Sequence, residues 1–253
     1  MTPSTSGLAG VLLLLATGLL STPRTAAAGE LHADVEAGVV SASRNAVRIP
    51  GAGGSDLSLV EDLSTPPEPV FRLRLGYRFS DRHVVTALYA PLRLRATGSL
   101  DREASFAGQT YPAGGSLLAV YRFDSYRLTY RYSFLHRPDL ELAAGVTGKI
   151  RDAEISLQGA QAARKANTGF VPLLNLHLAW RPGAGRFGLL LDVDALAAPQ
   201  GRAEDLLLAA TWAVRDGVVL RAGYRTIEGG ADNDEVYTFA WLHYAVAGVE
   251  VSF

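Results

Sequence analysis

Between Val70 and Ser80 the chain alternates without a break. Phe71, Leu73, Leu75, Tyr77 and Phe79 fall on one side of an extended backbone, and Arg72, Arg74, Gly76 and Arg78 on the other. The pattern returns at Tyr126 to Phe134, where Tyr126, Leu128, Tyr130, Tyr132 and Phe134 oppose Ser125, Arg127, Thr129, Arg131 and Ser133. It returns again at Leu140 to Arg151, with Leu142, Ala144, Val146 and Ile150 against Glu141, Thr147, Lys149 and Arg151. Period-two segments of this kind predict strands at 30-41, 69-80, 82-96, 116-135, 139-155, 169-181, 186-198, 205-215, 218-228 and 235-253. Tight turns are expected at Ser80-Asp81, His136 to Pro138, Pro182 to Gly185 and Asp216-Gly217. Longer connections fall at 42-68, 97-115 and 156-168, with shorter ones at 199-204 and 229-234. An even number of strands with alternating short and long connections predicts an all-β fold, an antiparallel up-and-down barrel of about ten strands, with eight as the alternative. The arginine-bearing faces must then look into a polar interior.

Ahead of this pattern, Leu8 to Leu20 is an apolar run of secretory length, followed by Ser21-Thr22-Pro23 and an A-x-A site at Ala26-Ala27-Ala28. It is shorter than the roughly 20 residues a membrane helix needs. The reading is a signal peptide over 1-28 and one domain of about 225 residues over 29-253. The carboxyl end, Gly248-Val249-Glu250-Val251-Ser252-Phe253, is an alternating strand closing on an aromatic residue. With Gly248, Val251 and Phe253 it resembles the C-terminal signal of bacterial outer-membrane β-barrel proteins, although Val246 stands where that signal usually has a polar residue. The resemblance implies export to the outer membrane, contact with outer-membrane lipid and lipopolysaccharide, and delivery by the outer-membrane assembly machinery through the last strand.

Composition narrows the chemistry. The chain has no cysteine, which excludes disulfides, thiol catalysis and Cys-ligated zinc. With 24 basic and 25 acidic residues it carries no polyelectrolyte charge, so nucleic acid is not expected as a partner. Only Lys149 and Lys165 are lysines; the other bases are arginines, suited to bidentate pairing with carboxylates in confined space. Alternation places Asp34, Glu36, Asn175, His177, Asp192, Asp194 and Glu250 inside, together with Arg72, Arg74, Arg78, Arg93, Arg95, Arg127, Arg131, Arg151, Arg221 and Arg225. A lumen network of arginine-carboxylate pairs follows, because buried charge persists only when paired. Asp34 and Glu36 should meet the arginines of the next strand. On the outward face of the long 116-135 and 139-155 hairpin, Arg122 and Asp124 should lie near Asp152 and Glu154, above the apolar belt.

Other motifs carry less. Gly183-Ala184-Gly185-Arg186-Phe187-Gly188 has the letters of a dinucleotide fingerprint but joins two strands, which makes it a turn. A tight turn there would set Asn175 opposite Asp192 with His177 one step away, a possible base and its orienting carboxylate. Outer-membrane enzymes act at the rim, however. The omptin proteases use an Asp-His pair, and this chain has no Asp-x-His; the lipid A deacylase and palmitoyltransferase barrels need a serine-histidine partnership. Among His32, His83, His136, His177 and His243, none has an obvious serine partner in an outer loop. Strict alternation turns His243 outward, unless a bulge between Trp241 and Ala247 resets the phase. Asp232 to Glu235 reads as a solvated acidic turn, and the Gly, Ser and Pro content of the long loops predicts flexibility. The expectation is a structural or small passive-pore outer-membrane barrel, with no catalytic residues, metal site or cofactor. A rim enzyme acting on lipid A or peptide, and an adhesin, are the alternatives.

Overall fold

In a computed structural model, residues 29–199 and 201–253 are described; the signal-peptide expectation for 1-28 lies outside them. The strands are β1 (Glu30–Arg48), β2 (Leu57–Ser58), β3 (Glu68–Ser80), β4 (His83–Ala90), β5 (Arg93–Ser99), β6 (Ala104–Phe106), β7 (Gln109–Tyr111), β8 (Ser116–His136), β9 (Leu140–Gln158), β10 (Ala162–Trp180), β11 (Phe187–Ala198), β12 (Gly201–Arg215), β13 (Val218–Asp232) and β14 (Tyr237–Ser252). Strand β5 continues β4 across Pro91-Leu92, and both pair with β8. The wall is thus ten antiparallel strands in up-and-down order, closed by β1 against β14 from His32↔Ser252 to Arg48↔Tyr237. Closure leaves no free edge along most of the ladder, which is how a sheet of this size satisfies its backbone polar groups.

Both described termini and the short turns lie at one end, the turn end. The expected turns stand at Ser80 to Arg82, Arg137 to Asp139 and Asp216-Gly217, where Gly217 takes φ +73°. The Pro182–Ala184 segment is a 3₁₀ turn, with Gly183 at φ +61° and Ala184 at φ +52°, so the GxGxxG letters mark a turn. That turn is longer than four residues, because Phe187 and Gly188 pair with Trp212 and Thr211 instead of extending the β10 ladder. Register between β10 and β11 shifts accordingly. Asn175 faces Asp194 and His177 faces Asp192, which corrects the pairing of Asn175 with Asp192.

At the loop end the strands run on past their expected limits, so the connections expected at 156-168, 199-204 and 229-234 shrink to tight hairpins. The two long loops are built into the barrel, contrary to the expectation of flexibility. Leu57 and Ser58 pair with Val47 and Ala46; Ser64 and Thr97 exchange backbone bonds of 2.9 and 3.0 Å; the Ala107 N–H donates to Ile49 O at 2.9 Å. Their apolar side chains cause this. Leu57, Leu59, Leu63, Leu100, Phe106 and Tyr111 are buried against the inward faces of Val40, Val47, Leu94, Leu117, Leu157 and Leu242. Tyr111 is fully buried and donates its hydroxyl to Leu157 O at 3.1 Å. The loops thus plug the loop end with an apolar core, stabilised by roughly 1.5–3 kcal/mol for each fully buried large side chain. Inward Leu94 and Ala96 within this core force Arg93 and Arg95 outward, so those two arginines leave the expected interior set; Arg95 instead meets Glu68 at 3.5 Å.

A rim ion pair ties the two plug loops together. Arg102 donates to both carboxylate oxygens of Asp62 at 2.9 Å, and the Ser58 N–H donates to the same carboxylate at 2.8 Å. The Arg102 hydrogen bonds and charge hold the Asp62 carboxyl below its ordinary value, and Arg102 is held above its own. A depressed folded-state value means the contact stabilises fully above the unfolded aspartate value near 3.9 and is lost as pH falls through the folded value. Amides of 57-64 should therefore lose protection, measured against their intrinsic exchange rates, on acidification below about pH 3.9, while β8 and β9 amides stay protected. In Arg102→Ala the Asp62 carboxyl should titrate near the ordinary aspartate value by NMR; an unchanged titration would remove the pair from this role.

Candidate functional site

Below the plug, the inward positions carry charge. Asp34 accepts from Arg74 at 2.8 Å and from both Arg221 nitrogens. Glu36 accepts from Arg221 at 3.0 Å and Arg225 at 2.9 Å, with Arg74 and Arg72 at 3.6 and 3.7 Å. Across the lumen Asp205 is met by Arg225 at 2.5 Å, Arg127 at 2.7 Å and Arg72 at 2.9 Å. Asp194 takes Arg127 and Asn175 at 2.8 Å and the Thr147 hydroxyl at 2.7 Å. Toward the turn end Arg78 pairs with Glu141 at 3.3 Å, whose other contacts are Ser133 and His136.

Of the residues expected inside, Asp34, Glu36, Arg72, Arg74, Arg78, Arg127, Asn175, Asp194, Arg221 and Arg225 meet here, and Asp34 and Glu36 contact arginines of β3; Arg93 and Arg95 do not. Glu36 is 1% exposed and Arg225 2%, which makes the belt a buried, multiply hydrogen-bonded unit rather than a set of surface pairs. Fixed arginine forks explain how one carboxylate serves several strands at once. Gly248, expected as part of the assembly signal, gives this network room: a Cβ there would lie 3.0 Å from the Arg221 guanidinium and 2.8 Å from Val35 O. Val251 pairs between Ala33 and Val218, and the Phe253 N–H donates to Leu31 O at 2.8 Å.

Asp205 belongs to the belt without having been named for it, whereas Glu141 and Lys149, which alternation turns inward, are found inside as that pattern requires. Asp205 shares its face with Leu207 and Ala209, so the inward side of β12 looks apolar in sequence. Buried Lys149 rests 4.7 Å over the Phe123 ring, at the boundary between belt and plug.

Among the described residues, a cavity flanks the belt at either end. One of about 600 Å³ opens at the turn end, lined by Glu30, His32, Thr86, Thr129, His177 and Glu250 among others. Here Arg131 donates to Asn175 Oδ1 at 2.7 Å, His177 Nδ1 at 3.1 Å and Asp192 at 2.8 Å. Asp192 Oδ2 lies 3.5 Å from His177 Nδ1, but Arg131 donates to both groups, so Nδ1 is met by a guanidinium as well as by the carboxylate and is not set as the N–H that a base oriented by a carboxylate would present. The other cavity, about 580 Å³, lies at the loop end between Tyr121, Phe123 and Arg151 on β8 and β9, Lys165 and Asn167 on β10, and Val236. It exists because β10 above Leu174 pairs only with β9, over the short β11-β12 hairpin. Lys165 spans the notch to Glu235 at 3.3 Å, while Asn233 accepts from the Glu235 and Val236 N–H groups within the acidic turn. The two cavities share no lining residue.

On the outward face, alternation in β14 is unbroken, and His243 points out. The bulge lies in the partner strand: register shifts between Ala42 and Arg44, leaving Ser43 as the extra residue. Ser43 Oγ lies 2.7 Å from His243 Nε2, and the Tyr224 hydroxyl bonds His243 Nδ1. A serine partner for histidine thus exists, contrary to expectation; it was hidden because 42-68 reads as loop, whereas β1 runs to Arg48. Arg122 also behaves as expected, reaching Asp152 at 2.6 Å and Asp124 at 3.1 Å on the outer face of the hairpin.

No protein-family pattern and no curated protein matches the sequence. Among solved structures, the chain is similar to the outer-membrane protease OmpT from Escherichia coli, with a TM-score of 0.54 at 11% identity over 88% of this chain and 97% of that one. The translocator domain of the autotransporter NalP from Neisseria meningitidis aligns at TM-score 0.44 and 13% identity, over 97% and 95% of the two chains. Ail, the attachment invasion locus protein of Yersinia pestis, aligns at 0.41 and 12%, over 89% and 99%. What the chain shares with OmpT is the barrel fold.

The belt makes a stability prediction. Glu36→Gln leaves arginines of two strands, β3 and β13, short of a buried carboxylate and should cost about 3–5 kcal/mol in denaturant unfolding of the lipid-reconstituted barrel. A cost below about 0.5 kcal/mol would mean the belt is not a paired, dry network.

Proposed function

We propose that the chain is an integral outer-membrane barrel whose lumen is closed, so that it acts through its wall and its loop end rather than by conduction. The observation that carries this reading is the filling of the interior: apolar loops above, a continuous ion-pair belt below, and two cavities with no common wall. Of the two halves of the sequence expectation, the structural one gains support over the passive pore.

The outer wall supports the membrane part. Leu75, Leu128, Val146, Ile150, Leu174 and Leu176 are exposed on it. Tyr77, Phe79, Tyr130, Tyr132, Trp180 and Trp212 ring it toward the turn end, and Tyr89, Tyr126, Tyr224 and Trp241 toward the loop end. An apolar band between aromatic girdles fits a bilayer. The turn end then faces the periplasm and the loop end the exterior, with membrane lipid and lipopolysaccharide as the neighbours of the wall. Recognition by the assembly machinery through β14 is part of this reading.

Planar-bilayer recordings should show no conductance above lipid background. Stable unitary openings would overturn the closed-lumen reading. Leu128→Arg should destabilise the barrel in lipid vesicles by about 2–4 kcal/mol. Arg93→Leu, beyond the apolar band, should stay within about 0.5 kcal/mol.

A further inference from the structure

We propose that Ser43, His243 and Tyr224 form an ester-cleaving site on the outer wall, acting on the acyl ester of an anionic membrane lipid. This rests on the reading of the wall as lipid-facing. The chemistry starts from the bulge. It pushes Ser43 out of the ladder, so its hydroxyl, exposed on the wall, reaches His243 Nε2 at 2.7 Å instead of lying one strand position away. On the opposite side of the ring, Nδ1 bonds the Tyr224 hydroxyl. The Ser43 hydroxyl also lies 3.4 Å from Trp241 O, a longer contact than the 2.7 Å to Nε2; in the tautomer with the proton on Nδ1, the ring donates to Tyr224 Oη and Nε2 accepts from Ser43. A nucleophile, a base in reach and a third group orienting the base are the parts nucleophilic catalysis requires.

The ring is held as well as bonded. Tyr224 stacks on it with centroids 6.0 Å apart, and Trp241 tilts against it at 5.3 Å. Trp241 is fixed in turn by its indole N–H, which donates to Thr226 Oγ1 at 3.0 Å. Height selects the substrate. Tyr224 and Trp241 belong to the loop-end girdle, the level at which a bilayer passes from hydrocarbon to headgroup and where lipid ester bonds lie. Immediately above, Arg44 lies 4.5 Å over Phe239 and donates to the Tyr237 hydroxyl at 3.2 Å, with no carboxylate partner among the described residues. An exposed arginine fork at that level suits a headgroup phosphate.

In the reaction, Ser43 Oγ bonds the acyl carbon as its proton passes to His243 Nε2. The ester C–O bond breaks, and the lipid hydroxyl leaves with that proton. Water then gives a proton to Nε2 as its oxygen bonds the acyl carbon; the acyl-Oγ bond breaks and Ser43 recovers the proton. The balance is ester plus water to fatty acid plus lysolipid, with no redox change. Tyr224 is a positioning residue.

The test uses the full barrel in mixed micelles of detergent and phosphatidylglycerol with radiolabelled acyl chains, and a fluorophosphonate probe. Wild type should release labelled fatty acid and be modified at Ser43. Ser43→Ala and His243→Gln should each lose about 100-fold or more in rate while keeping heat-modifiable migration. Tyr224→Phe should lower kcat with KM unchanged, and Arg44→Gln should raise KM for phosphatidylglycerol but not for phosphatidylcholine. A barrel that inserts into vesicles yet shows neither probe labelling nor fatty-acid release overturns the ester-cleaving site and leaves the closed barrel standing. A chain that fails to insert overturns both.

Discussion

Buried arginine is the constraint around which this barrel is arranged. Arg72, Arg127 and Arg225 converge on Asp205 from three strands, and Arg74, Arg221 and Arg225 converge on Asp34 and Glu36 from the other side. A guanidinium excluded from water must find a carboxylate, and inside a closed wall the available carboxylates lie across the lumen or on adjacent strands. A slip of one residue in any of these strands would turn its charges onto the apolar outer face, so the belt also fixes register around the ring. Closure and charge pairing support each other.

From that follows the division of the interior. Where the belt ends, the inward residues become Leu94, Ala119, Leu157 and Leu242, and only apolar partners can cover them. The two long loops supply those partners through Leu57, Leu59, Phe106 and Tyr111, folding back into the mouth because their side chains match what the wall leaves bare. What remains for contact with other molecules is the turn-end vestibule, the notch above β11 and β12, and the outer wall.

The wall was legible in the sequence because its signal is local. Phe71 to Phe79 declares its two faces within one strand, and ten such segments with alternating connections determine the barrel. The lumen network was legible for the same reason, since alternation alone turns Asp34, Arg127 and Arg221 inward. Three things were not. The plug was missed because the Gly and Pro of 51-69 mask the few leucines that bury it. Asp205 was missed because its face is otherwise apolar. The Ser43-His243 contact depends on a one-residue bulge and on β1 meeting β14, a pairing nearly the whole chain apart. Arg93 and Arg95 show the converse error, polar residues assigned inside although the strand's own parity, set by Val84, Leu88 and Leu94, turns them out.

The central claim is that no aqueous path joins the two ends of the barrel, and the absence of native cysteine makes it directly measurable. Thr86 lines the turn-end cavity below the belt. With Thr86→Cys in oriented vesicles, a membrane-impermeant maleimide should label the protein from the turn side and not from the loop side. Labelling at comparable rates from both sides would contradict the account.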